Sequence, residues 1–242
     1  MPALTVLARA AAPYPMQGQA PPTLPSTRIG RRGVPPALDS RRMVARMIVS
    51  TTVAGPAEFR RAVSRLDAAR LRREVEIGAL PAPGRLAPFS HAIAATLYAP
   101  DSDTESASGR MILLYDPDGV DAWGGTLRIV VFATCELDIE IAQDPLLPEV
   151  AWSWLTESLD CSGAGYSALG GTVTATSSTR FGDIAGPQRA DDLEVRASWT
   201  ADANTDLHLQ GFTDFLAAAA GLPPEGVTVL QRADAAESSE PR

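Results

Sequence analysis

The stretch Leu127-Arg128-Ile129-Val130-Val131-Phe132-Ala133-Thr134-Cys135-Glu136-Leu137 decides the fold class. In an extended chain successive side chains point to opposite faces. Leu127, Ile129, Val131, Ala133, Cys135 and Leu137 then share one apolar face, while Arg128, Thr134 and Glu136 lie on the other with Val130 and Phe132. This is a strand with a buried side. Just upstream, Met111 to Tyr115 is a second apolar run. Asp116-Pro117-Asp118-Gly119 supplies a turn between the two.

Further upstream, Phe59, Ala62, Val63, Leu66 and Ala69 recur at helical spacing behind Pro56, which suits a first helical turn. The other face of that helix carries Arg60, Arg61 and Arg65, with Arg72 beyond them, as a solvated surface does. Glu74 to Ile77 alternates as a short strand, and Pro81, Pro83 and Gly84 force a turn. Ala87 to Leu97 is predicted as a short helix, and Pro100 to Gly109 as an acidic loop.

Downstream, Asp144 caps a predicted helix with Pro145 at its first position, running to about Leu159. Gly170 to Phe181 and Leu193 to Thr200 read as strands. A last helix, Thr205 to Ala220, buries Leu209, Phe212, Phe215, Leu216 and Ala219, and Gly221 with Pro223-Pro224 ends it. The pattern is helix–strand–helix followed by two strand–strand–helix units. Short connections between strands imply antiparallel pairing. The expectation is an α+β domain, with about five antiparallel strands and helices packed on one face.

Composition agrees with a folded domain. The chain has 242 residues, 45% hydrophobic and 21% charged. No run approaches the roughly 18 apolar residues of a membrane span. Cys135 and Cys161 are too few for a disulfide framework, and His91 and His208 leave little for a metal site. The net charge is −8, yet residues 1–48 hold seven Arg and one Asp. That segment carries +6 and leaves −14 on the rest, so nucleic acid is an unlikely partner for the acidic body. Every basic residue besides His is Arg, a sign of a GC-rich coding sequence rather than of chemistry.

Residues 1–48 are Pro- and Arg-rich without apolar period and are expected to be disordered. An over-extended start, with initiation at Met43 or Met47, and an Arg-rich arm for nucleic acid are the two other readings. The body is expected over residues 49–230, with a polar tail over 231–242. Leu4 to Leu7 lacks the basic flank of a signal peptide, so a cytoplasmic protein with two reduced thiols is expected.

Candidate chemistry is sparse. Asp116, Asp118 and Asp121 do not fit a calcium loop, since Gly119 is at position four and Leu127 at position twelve. Gly165-Tyr166-Ser167-Ala168-Leu169-Gly170 is one residue too long for a nucleophile elbow. His91 and His208, each predicted on a helix, have no sequence-paired nucleophile and read as surface or partly buried residues. Cys135 reads as core, Cys161 as exposed. No catalytic, cofactor-binding or metal residues are assigned, and no cofactor is expected. The unusual element is the helix after Asp144. Trp152 and Trp154 point about 200° apart around its axis, which makes it apolar on two sides. One side suits the sheet. The other suits further helices, a ligand or a second copy, with Trp152, Trp154, Leu155 and Leu159 as the candidate interface.

Several segments carry a resemblance. They are Glu74-Val75-Glu76 through Pro81-Ala82-Pro83 to Arg85-Leu86-Ala87-Pro88-Phe89, and Leu113-Leu114-Tyr115-Asp116-Pro117 with Ala122-Trp123. Asp144-Pro145-Leu146-Leu147-Pro148-Glu149-Val150 through Trp152-Ser153-Trp154-Leu155 follows, and then Val195-Arg196-Ala197-Ser198-Trp199 and Ala220-Gly221-Leu222-Pro223-Pro224. Over roughly residues 56–230 the chain resembles an actinobacterial family known as domain of unknown function 3000. The resemblance implies an actinobacterial, cytoplasmic origin and transfers no functional residue. The element order is also similar to that of the small dimeric chaperones of type III secretion, apart from the extra helix at Ala87–Leu97. The reading that results is a non-catalytic interaction module acting as a homodimer, with self-association as the expected partnership and no membrane contact. A small-molecule enzyme with a dispersed site is the first alternative. A nucleic-acid-associated protein using its Arg-rich N-terminal region is the second.

Overall fold

The computed structural model describes residues 54–100, 104–183 and 187–225. The expectations for residues 1–48 and 231–242 lie outside them. Helix α1 (Ala57–Ala68) starts directly after Pro56 and buries Phe59, Ala62, Val63 and Leu66, the predicted stripe. Six strands follow in one antiparallel sheet: β1 (Val75–Leu80), β2 (Phe89–Tyr98), β3 (Glu105–Val120), β4 (Gly125–Glu136), β5 (Tyr166–Thr179) and β6 (Arg189–Ala201). Between β4 and β5 lie the one-turn helix α2 (Ile139–Ala142) and the long helix α3 (Leu147–Ser162). Helix α4 (Thr205–Ala219) comes last.

The sheet order is β1-β2-β3-β4-β6-β5. The first four strands form a meander of hairpins. The chain then crosses by α2 and α3 to the far edge, lays down β5, and turns back to insert β6 against β4. Ala95 and Leu97 of β2, Met111 and Leu113 of β3, Ile129 and Val131 of β4, and Val195 and Trp199 of β6 are buried on one face. Helix α4 packs on β2, β3 and β4 from that side, α1 and α3 pack on α4, and α3 reaches β5. The α+β expectation holds, with six strands in place of five.

The sixth strand is the predicted helix Ala87–Leu97. Its alanines favour a helix locally, but β2 is hydrogen-bonded to β1 on one side and β3 on the other, and tertiary pairing overrides that weak preference. The predicted loop Pro100–Gly109 is also partly strand, because β3 begins at Glu105. Asp116 to Gly119 is not the hairpin tip. The register passes from Tyr115 opposite Leu127 to Val120 opposite Gly125, so this segment is a bulge held by Asp118 N–H donating to Asp116 Oδ1 at 3.1 Å. The tip is Asp121 to Gly124.

Candidate functional site

The helix singled out by its tryptophans begins later than expected. Asp144 does not cap it; its Oδ1 accepts the Leu146 N–H at 2.8 Å in a turn, and Pro148 takes the first-turn position. Leu147, Ala151, Leu155 and Leu159 form the inner stripe. Leu155 and Leu159 have no solvent exposure, so a partner can reach neither. Trp152 and Trp154 are partly buried against the same core.

Two glycines fix where α3 sits. A Cβ at Gly171 of β5 would lie 2.9 Å from Trp152 Cζ3 and 2.2 Å from the Arg196 carbonyl oxygen. The Trp152 ring therefore rests on bare backbone, and α3 is braced on β5. A Cβ at Gly211 of α4 would lie 3.0 Å from the Ser158 carbonyl and 3.1 Å from Leu159 Cα, so this glycine lets α3 and α4 approach closely.

Beyond α3 the sheet ends at β5. This strand has 14 residues and pairs with β6; no described strand pairs with its outer edge. It carries no acidic or basic side chain, and most of it is exposed. Its one bulge falls near the start, between Ser167 and Gly170, where Ala168 takes φ +50°. The glycine-serine motif is thus the opening of an edge strand. Sequence reasoning missed the edge, because it is set by β6 pairing with β4 rather than by any property of the Tyr166–Thr179 run.

A second surface runs from α2 into the first turn of α3. Ile139 is 49% exposed, Ile141 42%, Leu146 61% and Val150 39%. Leu146 and Val150 are one helical turn apart, and Trp154 continues their row. Asp138, Glu140, Asp144 and Glu149, all exposed, are interspersed among these residues. From Ile129 to Thr179 the chain has seven acidic residues and no Arg, Lys or His.

The titratable groups elsewhere are built into the frame. His91 lies on strand β2 rather than a helix, and burial pulls its imidazole below the usual range against the opposing charge of Asp67. His208 is on α4 as expected, but it is fully buried rather than superficial. Trp199 Nε1–H donates to His208 Nδ1 at 3.0 Å, and His208 Nε2 is 3.2 Å from Asp202 Oδ1. Nδ1 must therefore be an unprotonated acceptor, and Nε2 carries the proton that faces the carboxylate. Burial lowers this imidazole's pKa despite Asp202, which agrees with the neutral ring that the indole requires. The arrangement ties α4 to β6.

Cys135 is buried and its thiol is pushed up to about 11 by desolvation, while Cys161 is exposed. A cavity of about 80 Å³ lies among Leu137, Ala142, Thr176, Asp191 and their neighbours, well under the roughly 300–1,000 Å³ of small-molecule pockets. Among the described residues no cluster of three metal-ligating side chains occurs, and no helix is long and apolar enough to cross a membrane.

No curated protein and no solved structure matches the chain. The family described as protein of unknown function (DUF3000) matches over residues 55–228, from the residue before Pro56 to beyond α4. Every described helix and strand falls inside that match, and the chain belongs to the DUF3000 family.

Proposed function

We propose that this protein is a non-catalytic interaction module that works as a homodimer, joined along β5 with α3 beside the seam. The observation that carries this reading is the outer edge of β5. A long strand with a free row of N–H and C=O groups is a template for another strand, and natural edges are usually blunted by charge, proline or bulges. From Gly170 to Thr179, β5 has none of these. Two copies meeting antiparallel across a two-fold axis satisfy both edges with the same residues. An uncharged strand makes that contact without like-charge repulsion. Trp152, seated on Gly171, stiffens the edge from the helix side.

The test is solution mass by light scattering on the full chain over a concentration series. A dimer is expected. Thr174→Lys with Thr176→Lys should convert it to monomer. Thr174 and Thr176 stand opposite Glu194 and Asp192 on β6, so the lysines gain cross-strand partners and the protomer keeps its fold by circular dichroism. A monomer at every concentration, or a dimer indifferent to both lysines, would overturn the reading.

A further inference from the structure

The exposed large hydrophobics are not scattered. Among the described residues they are Phe181 and four side chains of one short segment, Ile139, Ile141, Leu146 and Val150. Leu146, Val150 and Trp154 stand at one-turn intervals from the cap of α3 onward, a ridge of about 12 Å at roughly 1.5 Å per residue. Asp138, Glu140, Asp144 and Glu149 are exposed beside them, and no Arg, Lys or His occurs from Ile129 to Thr179. This setting selects its occupant. A second copy would bring the four carboxylates against their duplicates, and the phosphates of nucleic acid or anionic lipid meet the same repulsion. An extended segment fits no better, because the backbone here is committed to its own turns. Ala142 N–H donates to the Asp138 carbonyl, Gln143 N–H to Ile139, Leu147 N–H to Asp144 and Val150 N–H to Leu146. A strand laid on this surface would bury N–H and C=O groups with nothing to pair with, whereas a helix satisfies its own.

We propose that the α2–α3 surface docks a cationic amphipathic helix of another protein. The apolar stripe of that helix lies along Leu146, Val150 and Trp154, ridge into groove, with its i, i+3, i+4 and i+7 side chains as anchors. Its Lys or Arg flanks reach Glu140, Asp144 and Glu149. These charge pairs lie at an exposed rim, so they steer the encounter and select the sign of the partner. The apolar contact supplies most of the holding energy, since Leu146 and Val150 are the side chains with most surface left to bury on α3. The docking uses no residue of the β5 edge and stands whether or not the chain dimerises.

The probe is a fluorescein-labelled peptide of leucine, alanine and lysine, about 18 residues and so roughly 27 Å as a helix, with its leucines on one face. It is titrated against the full chain and read by fluorescence anisotropy. A second peptide has the same composition and charge in an order that breaks the apolar face. The first should bind at least about tenfold tighter than the second. Leu146→Ser with Val150→Ser leaves every charge in place and alters only exposed side chains, so circular dichroism should be unchanged. That pair should weaken binding about tenfold or more. Glu140→Gln with Glu149→Gln should flatten the salt dependence of what binding remains. On titration the methyl signals of Ile139 and Ile141 should shift and that of Ile77 on β1 should not. No binding, equal binding of the two peptides, or binding indifferent to the serine pair would overturn the proposal. A solution mass that the serine pair lowers would make the occupant a second copy. Flotation with phosphatidylserine vesicles that the serine pair abolishes would make it a membrane. Either result would overturn the proposal as well.

Discussion

Acidification should weaken this protein through His208. Folding fixes its Nδ1 as the acceptor of the Trp199 indole N–H at 3.0 Å, and burial lowers its pKa below the ordinary 6.5. A proton on Nδ1 would set two donors face to face. The sign follows. Above about pH 6.5 the ring is neutral in both states and its contribution is fully present. Below that, the unfolded chain takes a proton that the folded chain refuses, and stability falls as pH falls until the folded pKa is reached. The slope is at most about 1.4 kcal/mol per pH unit for one proton, so between pH 6.5 and 5 the loss is bounded at about 2 kcal/mol. His91, lowered by burial as well, acts with the same sign. Asp214, raised by desolvation, acts with the opposite sign and flattens the acidic end of the curve. The assay is urea unfolding followed by tryptophan fluorescence at one protein concentration, from about pH 7.5 to about pH 5. His208→Gln keeps an acceptor for the indole and should remove one proton's slope. An unchanged slope in that variant would refute the reasoning.

Leu155→Ala should cost about 3–5 kcal/mol in the same assay, because Leu155 has no exposure and its removal leaves a cavity among rigid neighbours. Its self-association should track only the fraction folded, in contrast to Thr174→Lys with Thr176→Lys. In the native protein one thiol, Cys161, should react quickly with an aromatic disulfide reagent. Cys135 should react only when urea unfolds the chain, since it is buried and its thiol is held near 11. Two equal fast thiols would contradict the placement of β4.

Much of the scaffold was legible because its signals are local. The alternation from Leu127 to Leu137 is β4, and the 3.6-residue stripes behind Pro56 and from Leu209 to Ala219 are α1 and α4. What was not legible depends on neighbours in space. The segment Phe89 to Tyr98 contains Ala92, Ala94 and Ala95, and its extended state is imposed from β1 and β3. That β5 rather than β6 forms the sheet edge is set by β6 pairing with β4, which no property of either sequence announces. The burial of His208 is hidden for the same reason, since Trp199 and Asp202 reach it only when α4 folds back on β6. Of the four residues proposed for an interface, Leu155 and Leu159 were apolar because they are core, and helical spacing alone cannot separate the two roles. The Ile139 to Val150 surface has no sequence period to announce it, because α2 is a single turn.

The late arrival of α4 has a consequence for how the chain is made. Synthesis completes the β1–β4 meander when Glu136 emerges, yet the helix that covers its apolar face ends at Ala219. At about 5–20 residues per second, those 83 residues take roughly 4 to 17 s. Throughout that interval the nascent sheet lacks α4 over its inner face, where α1 touches it through Phe59 against Phe89 and Tyr115, and the β4 edge is unpaired, because β6 is also still to come. A ribosome that stalls within α3 or β5 therefore displays a sticky, half-built sheet. Chaperone occupancy on this nascent chain should rise after Glu136 and fall only as α4 clears the exit tunnel.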